Sequence, residues 1–152
     1  MGYIEDLRKI IGTRPLILVG AVVGVIDEYG RILLQQRPNG VWSLPGGLLE
    51  LAESAEEAGR REVLEETGIE VGELELVGVF SGKQYYVKLP NGDQFYPVTI
   101  AYVSTDLKNS KIRIDGVESI DAQFFDTKEL PEKASPLVRS LLERYLKKER
   151  GT

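Results

Sequence analysis

Residues 46–69, GGLLELAESAEEAGRREVLEETGI, constrain the fold more than any other stretch of the chain. Glu50, Glu53, Glu56, Glu57, Glu62, Glu65 and Glu66 fall inside it, and Glu70 follows directly. Against them stand Arg60 and Arg61. The chain holds 24 acidic residues, so a third of them occupy about a sixth of its length. The local structure is legible. Pro45-Gly46-Gly47 interrupts regular structure. Ser54 followed by Glu57 forms a capping box that starts a helix, and Gly68 suits the left-handed position that ends one.

On that helix Glu62, Glu65 and Glu66 stand at i, i+3 and i+4 and share a face. Like charges so placed destabilise a helix by a few tenths of a kcal/mol per pair, and a divalent cation reverses the sign. The competing reading is a solvated acidic face, the ordinary reason for charge on a helix. Ala55, Ala58 and Gly59 extend the same face toward the helix start. Small residues there imply close packing, for instance by the glycine turn folding back. Gly59 costs about 1 kcal/mol of helix propensity relative to alanine, which a merely solvated face does not require.

Composition narrows the chemistry. With 152 residues, 42% hydrophobic and 28% charged, one compact domain over residues 1–152 is expected. No apolar run reaches the length that spans a bilayer, MGYIEDLRKI lacks a signal-peptide pattern, and cysteine is absent. A cytoplasmic protein with no membrane partner is the expectation. The net charge of −5 argues against duplex nucleic acid, which selects a basic footprint. It is compatible with a small anionic substrate if a cation mediates. The chain also contains no histidine. Zinc sites of the usual nitrogen and sulfur donors, Ser-His and Cys-His catalysis, and a histidine phosphoryl carrier are therefore excluded. Carboxylates remain, and they select hard ions such as Mg²⁺, Mn²⁺ or Ca²⁺.

Along the chain, Ile4, Leu7 and Ile11 have helical spacing and Gly12 can end a short helix, packed on the domain or used in a dimer contact. Ile17 to Ile26 reads as a valine-rich strand buried on both faces. Asp27 to Gly30 is turn chemistry, and Arg31 to Arg37 is expected to return as the second arm of a hairpin. Glu73 to Ser81 reads as a strand. Gln84 to Lys88 and Gln94 to Ser104 flank Asn91-Gly92, a hairpin signal. Ala122 to Asp126 reads as a short strand. Pro136 opens a last helix whose apolar stripe is Leu137, Val138, Leu141, Leu142, Tyr145 and Leu146. Strands joined mostly by hairpins, with few helices, point to an α/β fold with a mixed sheet covered by helices.

Gly47, Glu53 and the run Arg61-Glu62-Val63-Leu64-Glu65-Glu66-Thr67-Gly68-Ile69 resemble the Nudix box, G-x5-E-x7-R-E-U-x-E-E-x-G-U, where U is a bulky aliphatic. Every specified position matches. The resemblance to the Nudix (MutT-like) hydrolases implies an α/β/α sandwich with a mixed sheet and the box as a loop–helix–loop. It implies Mg²⁺-dependent hydrolysis, with Mn²⁺ as a substitute, of a nucleoside diphosphate linked to a group X. By position, Glu62, Glu65 and Glu66 are implied metal ligands, with Glu65 and Glu66 the inner pair and Gly47 a backbone ligand. Glu53 and Arg61 orient one another and the helix. Glu62 is the first candidate for general base. Glu118 resembles the family's later-loop glutamate, an extra ligand or base, and is otherwise a solvated loop acid.

Substrate choice lies outside the box. Arg37, at the mouth of the loop before it, either reaches a phosphate or is a plain surface arginine. Trp42 is either a core plug or a substrate platform. Relatives that cleave ADP-ribose often carry a proline where Gln84 and Tyr85 stand here. Those that cleave diadenosine polyphosphates often carry a tyrosine where Tyr85 and Tyr86 fall, and either ring could stack a base while Lys83 or Lys88 meets phosphate. Three activities follow: hydrolysis of a small nucleotide, nucleotide sensing without catalysis, and removal of a 5′ diphosphate from RNA. A homodimer is a further expectation from the resemblance.

Overall fold

The computed structural model describes residues 2–150. Its centre is strand β1 (Leu16–Val25), where valines favour extended backbone and alternate side chains face opposite ways. Ala21, Val23 and Val25 join one apolar cluster, while Val22 and Ile26 pack into the other. β1 pairs in parallel with the long strand β7 (Gln94–Ser104), in register from Leu16 with Phe95 to Val25 with Ser104. On its other side it pairs antiparallel with β4 (Gly46–Leu48). β5 (Glu75–Phe80) and β6 (Val87–Lys88) pair antiparallel with β7 and complete a five-stranded mixed sheet. A second, antiparallel sheet has the order β3 (Trp42–Ser43), β2 (Arg31–Gln36), β8 (Asp121–Asp126).

Helices cover both faces. α2 (Ala55–Thr67) adds Ala58 and Val63 to the cluster around Ala21, Val23, Leu33 and Tyr102. α3 (Pro136–Arg150) adds Val138, Leu141 and Leu142 to the cluster around Ile26, Ile32, Leu34 and Val103. The result is the α/β sandwich with a mixed sheet that the box implies. The short helix α1 (Tyr3–Ile11) contributes no fully buried residue; Ile4, Leu7 and Ile11 are half-buried. It is tied down by Arg8, whose guanidinium donates to the carbonyls of Gly12, Arg14 and Gln94. Among the described residues no helix is long and apolar enough to cross a membrane.

The ends of α2 follow the sequence closely. Ser54 Oγ accepts the Glu57 N–H at 3.0 Å, and Glu57 Oε1 accepts the Ser54 N–H at 2.9 Å. Gly68 closes the helix in the left-handed region at φ 76°. Ser54→Ala is expected to cost about 1 kcal/mol, seen as a fall of roughly 2–4 °C in melting temperature.

Six expectations change. β2 does not return along β1; a single bridge, Ile26 with Ile32, joins them, and β2 pairs with β8 and β3 instead. Gly46 and Gly47 do not break the chain but form β4, because glycine lets the backbone approach β1 closely. Gly59 of α2 packs on β1 rather than on the glycine turn: a Cβ there would lie 3.0 Å from Val23 Cγ2. β1 is not covered on both faces throughout, since α2 stops short of its start and leaves Ile17 74% exposed. Lys83–Tyr85 form a 3-10 turn, leaving only Val87 and Lys88 to pair with β7, and Leu146 is exposed where α3 runs past the core.

Candidate active site

Glu53 precedes α2 and Arg61 lies two turns along it. The guanidinium forks onto the carboxylate, Nε to Oε2 at 2.6 Å and Nη2 to Oε1 at 2.9 Å. Arg61 Nη1 also donates to Glu62 Oε1 at 2.7 Å and lies 3.4 Å from Glu65 Oε2. Such charge-assisted forks are geometrically specific. The Arg61 guanidinium holds the Glu53 carboxyl below its ordinary range, and the carboxylates keep Arg61 firmly protonated.

Glu66 sits deeper, only 3% exposed. Its Oε1 accepts Gln35 Nε2 at 2.7 Å and the Gly46 N–H at 2.9 Å, while Oε2 lies 3.8 Å from Arg37 Nη2. Burial pushes its pKa up to about 7, against the pull of the Gly46 N–H and the Arg37 charge; the Glu62 carboxylate nearby pushes the same way as burial. Gly47 explains how Glu62 reaches this position. A Cβ there would stand 2.7 Å from the Glu62 carboxyl carbon, so the side chain lies flat against β4 only because residue 47 has none.

Glu62, Glu66, Gly47 and Arg37 line one cleft of about 390 Å³, with Glu118 and Glu50 facing it. Glu118 is aimed there by a loop folded on Asp115, whose Oδ1 accepts the N–H groups of Val117, Glu118 and Ser119. A second cavity of about 640 Å³ shares Arg37, Gly46, Gly47 and Leu48 with the first and continues past Ser43, Pro97, Thr99 and Leu137. Its size suits a nucleoside. Arg37 therefore stands at the boundary of the two spaces.

The other sequence candidates lie elsewhere. Glu65 is 59% exposed at its side chain and meets Arg61 outside the cleft. Lys83, Tyr85 and Tyr86 line neither space. The Tyr85 ring meets Phe80 edge-on, and Tyr86 donates to Gln94 and packs its ring on Tyr96. Trp42 packs edge-on against Phe125, a half-buried member of the core.

Among the described residues no three acidic side chains already converge at the spacing of one ion. Glu62 and Glu66 are nevertheless a pair of oxygen donors in mutual repulsion, one of them buried with only a distant counter-charge. That pair, with Glu118 and Glu50 across the cleft, fits a hard divalent cation. Sequence reasoning missed Gln35 and Gly46, which hold Glu66, and the wall that α1 supplies through Gly2, Ile4 and Glu5. Gln35 had a signal: it falls on the same side of its strand as buried Leu33, a core-facing place for a polar residue.

Residues 17–145 match the model of the NUDIX domain. The chain belongs to the Nudix family. It is 35% identical over 118 residues to an ADP-ribose pyrophosphatase of Methanocaldococcus jannaschii, covering 75% of this chain and 65% of that protein. It is 33% identical over 130 residues to the NAD-capped RNA hydrolase NudC of Vibrio parahaemolyticus, covering 82% of this chain and 46% of the relative. It thus spans less than two thirds of either protein. The crystal structure of a MutT Nudix hydrolase from Burkholderia pseudomallei superposes with a TM-score of 0.71 at 28% identity, over 85% of this chain and 98% of that one. Helix α1 precedes the matched segment and still walls the cleft.

Proposed function

We propose that this Nudix domain hydrolyses a diphosphate bond in a nucleoside diphosphate linked to a second group, using Mg²⁺ or Mn²⁺ held by Glu62 and Glu66. The observation that carries the reading is the buried Glu66 carboxylate opposed by Glu62 on the floor of a cleft that opens into a nucleoside-sized cavity. When bound, the cation neutralises the bridging phosphates, orients them and acidifies water.

The protein's own part is positioning. Arg37, between the two spaces, binds a phosphate oxygen while the nucleoside fills the larger cavity. Arg61 occupies one oxygen of Glu62 and leaves the other to face the cation. Water oxygen bonds to phosphorus, the bridging P–O bond breaks, and the bridging oxygen leaves with the second product. The lost proton goes to Glu118, which lines the same cleft, or to Glu62 where the cation rests on Glu66 alone. Glu53 fixes Arg61 and so the orientation of Glu62.

ADP-ribose is the first substrate to try, because the archaeal relative carries that name. Nucleoside triphosphates, diadenosine polyphosphates and 5′-diphosphate or NAD-capped RNA complete the panel. Product formation with Mg²⁺ or Mn²⁺, abolished by EDTA, is the expected result. Nucleotide binding without product from any member of the panel would favour a sensing domain instead.

A further inference from the structure

The structure points to Gln35 as a positioning residue that decides which oxygen of Glu66 faces the cation; we propose this role on the basis of the cation reading above. Gln35 follows buried Leu34 in β2, and its own side chain is fully buried. An amide in such surroundings is costly unless paired. Its Nε2 donates to Glu66 Oε1 at 2.7 Å. The Gly46 N–H donates to the same oxygen at 2.9 Å. Among the described residues Glu66 Oε2 meets only the Arg37 guanidinium, at 3.8 Å, beyond hydrogen-bond distance. Two donors thus saturate one oxygen and leave the other presented in a fixed direction.

The effect depends on the orientation of the amide. Turned over, Gln35 would set its own carbonyl against the Glu66 carboxylate, acceptor against acceptor. The orientation that donates to Glu66 leaves Gln35 Oε1 buried and, among the described residues, without a hydrogen-bond partner. Ser43 is its register partner on β3, and Ser43 Oγ is buried and unpartnered as well. A single water between them, accepting the Ser43 hydroxyl hydrogen and donating to Gln35 Oε1, would satisfy both atoms and lock the amide as a donor toward Glu66. Ser43 also lines the larger cavity, so that water would link the nucleoside space to the cation floor.

The test is Mn²⁺ titration of the metal-free protein, followed by electron paramagnetic resonance without substrate. Gln35→Leu is expected to weaken Mn²⁺ binding by about 10–100-fold, the usual effect of removing a partner behind a metal ligand. Ser43→Ala should weaken it less, and the double variant should bind no more weakly than Gln35→Leu alone, because both act through one contact. Unchanged affinity in a folded Gln35→Leu protein overturns the role. Should that variant fail to fold, Ser43→Ala decides in the same way: weaker binding supports the relay and unchanged binding overturns it. Glu66→Gln separates the two readings. Mn²⁺ retained there refutes the cation assignment itself, whereas Mn²⁺ lost there but kept in Gln35→Leu refutes only the role of Gln35.

Discussion

Glu66→Gln will leave the protein folded, abolish its response to divalent cations and make the cation-free form more stable at neutral pH. Glutamine keeps an oxygen for Gln35 Nε2 and the Gly46 N–H, so the local geometry survives. What disappears is a buried charge. The pKa of Glu66 is raised from 4.5 in the unfolded chain to about 7 in the folded one, chiefly by burial. Between those values the folded state binds the extra proton. The stabilisation from this group is therefore complete below pH 4.5 and is lost as pH rises through 7. The loss is roughly 3 kcal/mol, taking 1.36 kcal/mol per pKa unit. Melting curves in EDTA should fall with pH across that window in the wild type and stay flatter in the variant. Added Mg²⁺ should restore the wild type above pH 7 and leave the variant unmoved. Turnover should drop by about 10³-fold or more if the cation supplies several kcal/mol of transition-state stabilisation. A variant whose melting temperature still climbs with Mg²⁺ would remove Glu66 from the ligand set.

Gly46→Ala is expected to be the most damaging single-methyl change. A Cβ there would lie 2.3 Å from the Ala21 carbonyl oxygen and 2.8 Å from Val22 Cα, both backbone atoms of the central strand. Neither can move without breaking the β1–β4 pairing. The cost should be about 3 kcal/mol, or roughly 6–12 °C in melting temperature, and the displaced Gly46 N–H should weaken cation binding as well. Gly47→Ala provides the contrast. The three atoms nearest its Cβ would all belong to the Glu62 carboxyl group, the far end of a flexible side chain. That protein should stay near wild-type stability in denaturant titration while losing turnover. Equal stability losses in the two variants would contradict this account of β4.

The legible parts of the molecule are those encoded within a turn or two. Ser54, Glu57 and Gly68 mark both ends of α2 because caps use neighbours, and the Nudix spacing places Glu53 beside Arg61 across the loop–helix junction. The unread parts depend on distant partners. β2 has the composition of a hairpin arm, yet its partner is β8, whose Phe124 and Phe125 sit opposite Leu33 and Ile32. Turn chemistry at Asp27 to Gly30 could not reveal that, since a turn fixes direction and not sheet membership. In the site, the i, i+3, i+4 pattern treats Glu62, Glu65 and Glu66 alike. Packing separates them into a buried residue, one lying against Gly47 and one on the surface. Only the neighbours Gln35, Gly46 and Gly47 make that distinction, and each comes from outside the helix.

The position of α1 has a practical side. Gly2 lies close enough to Glu50 that a Cβ on it would sit 3.3 Å from the carboxylate, and its helix forms one bank of the cleft. An affinity handle fused ahead of Gly2 would start at the edge of this cleft, and a polyhistidine handle would bring foreign imidazoles within reach of any ion the glutamates attract. Preparations meant for metal titration are better carried by a handle on the opposite terminus, beyond α3.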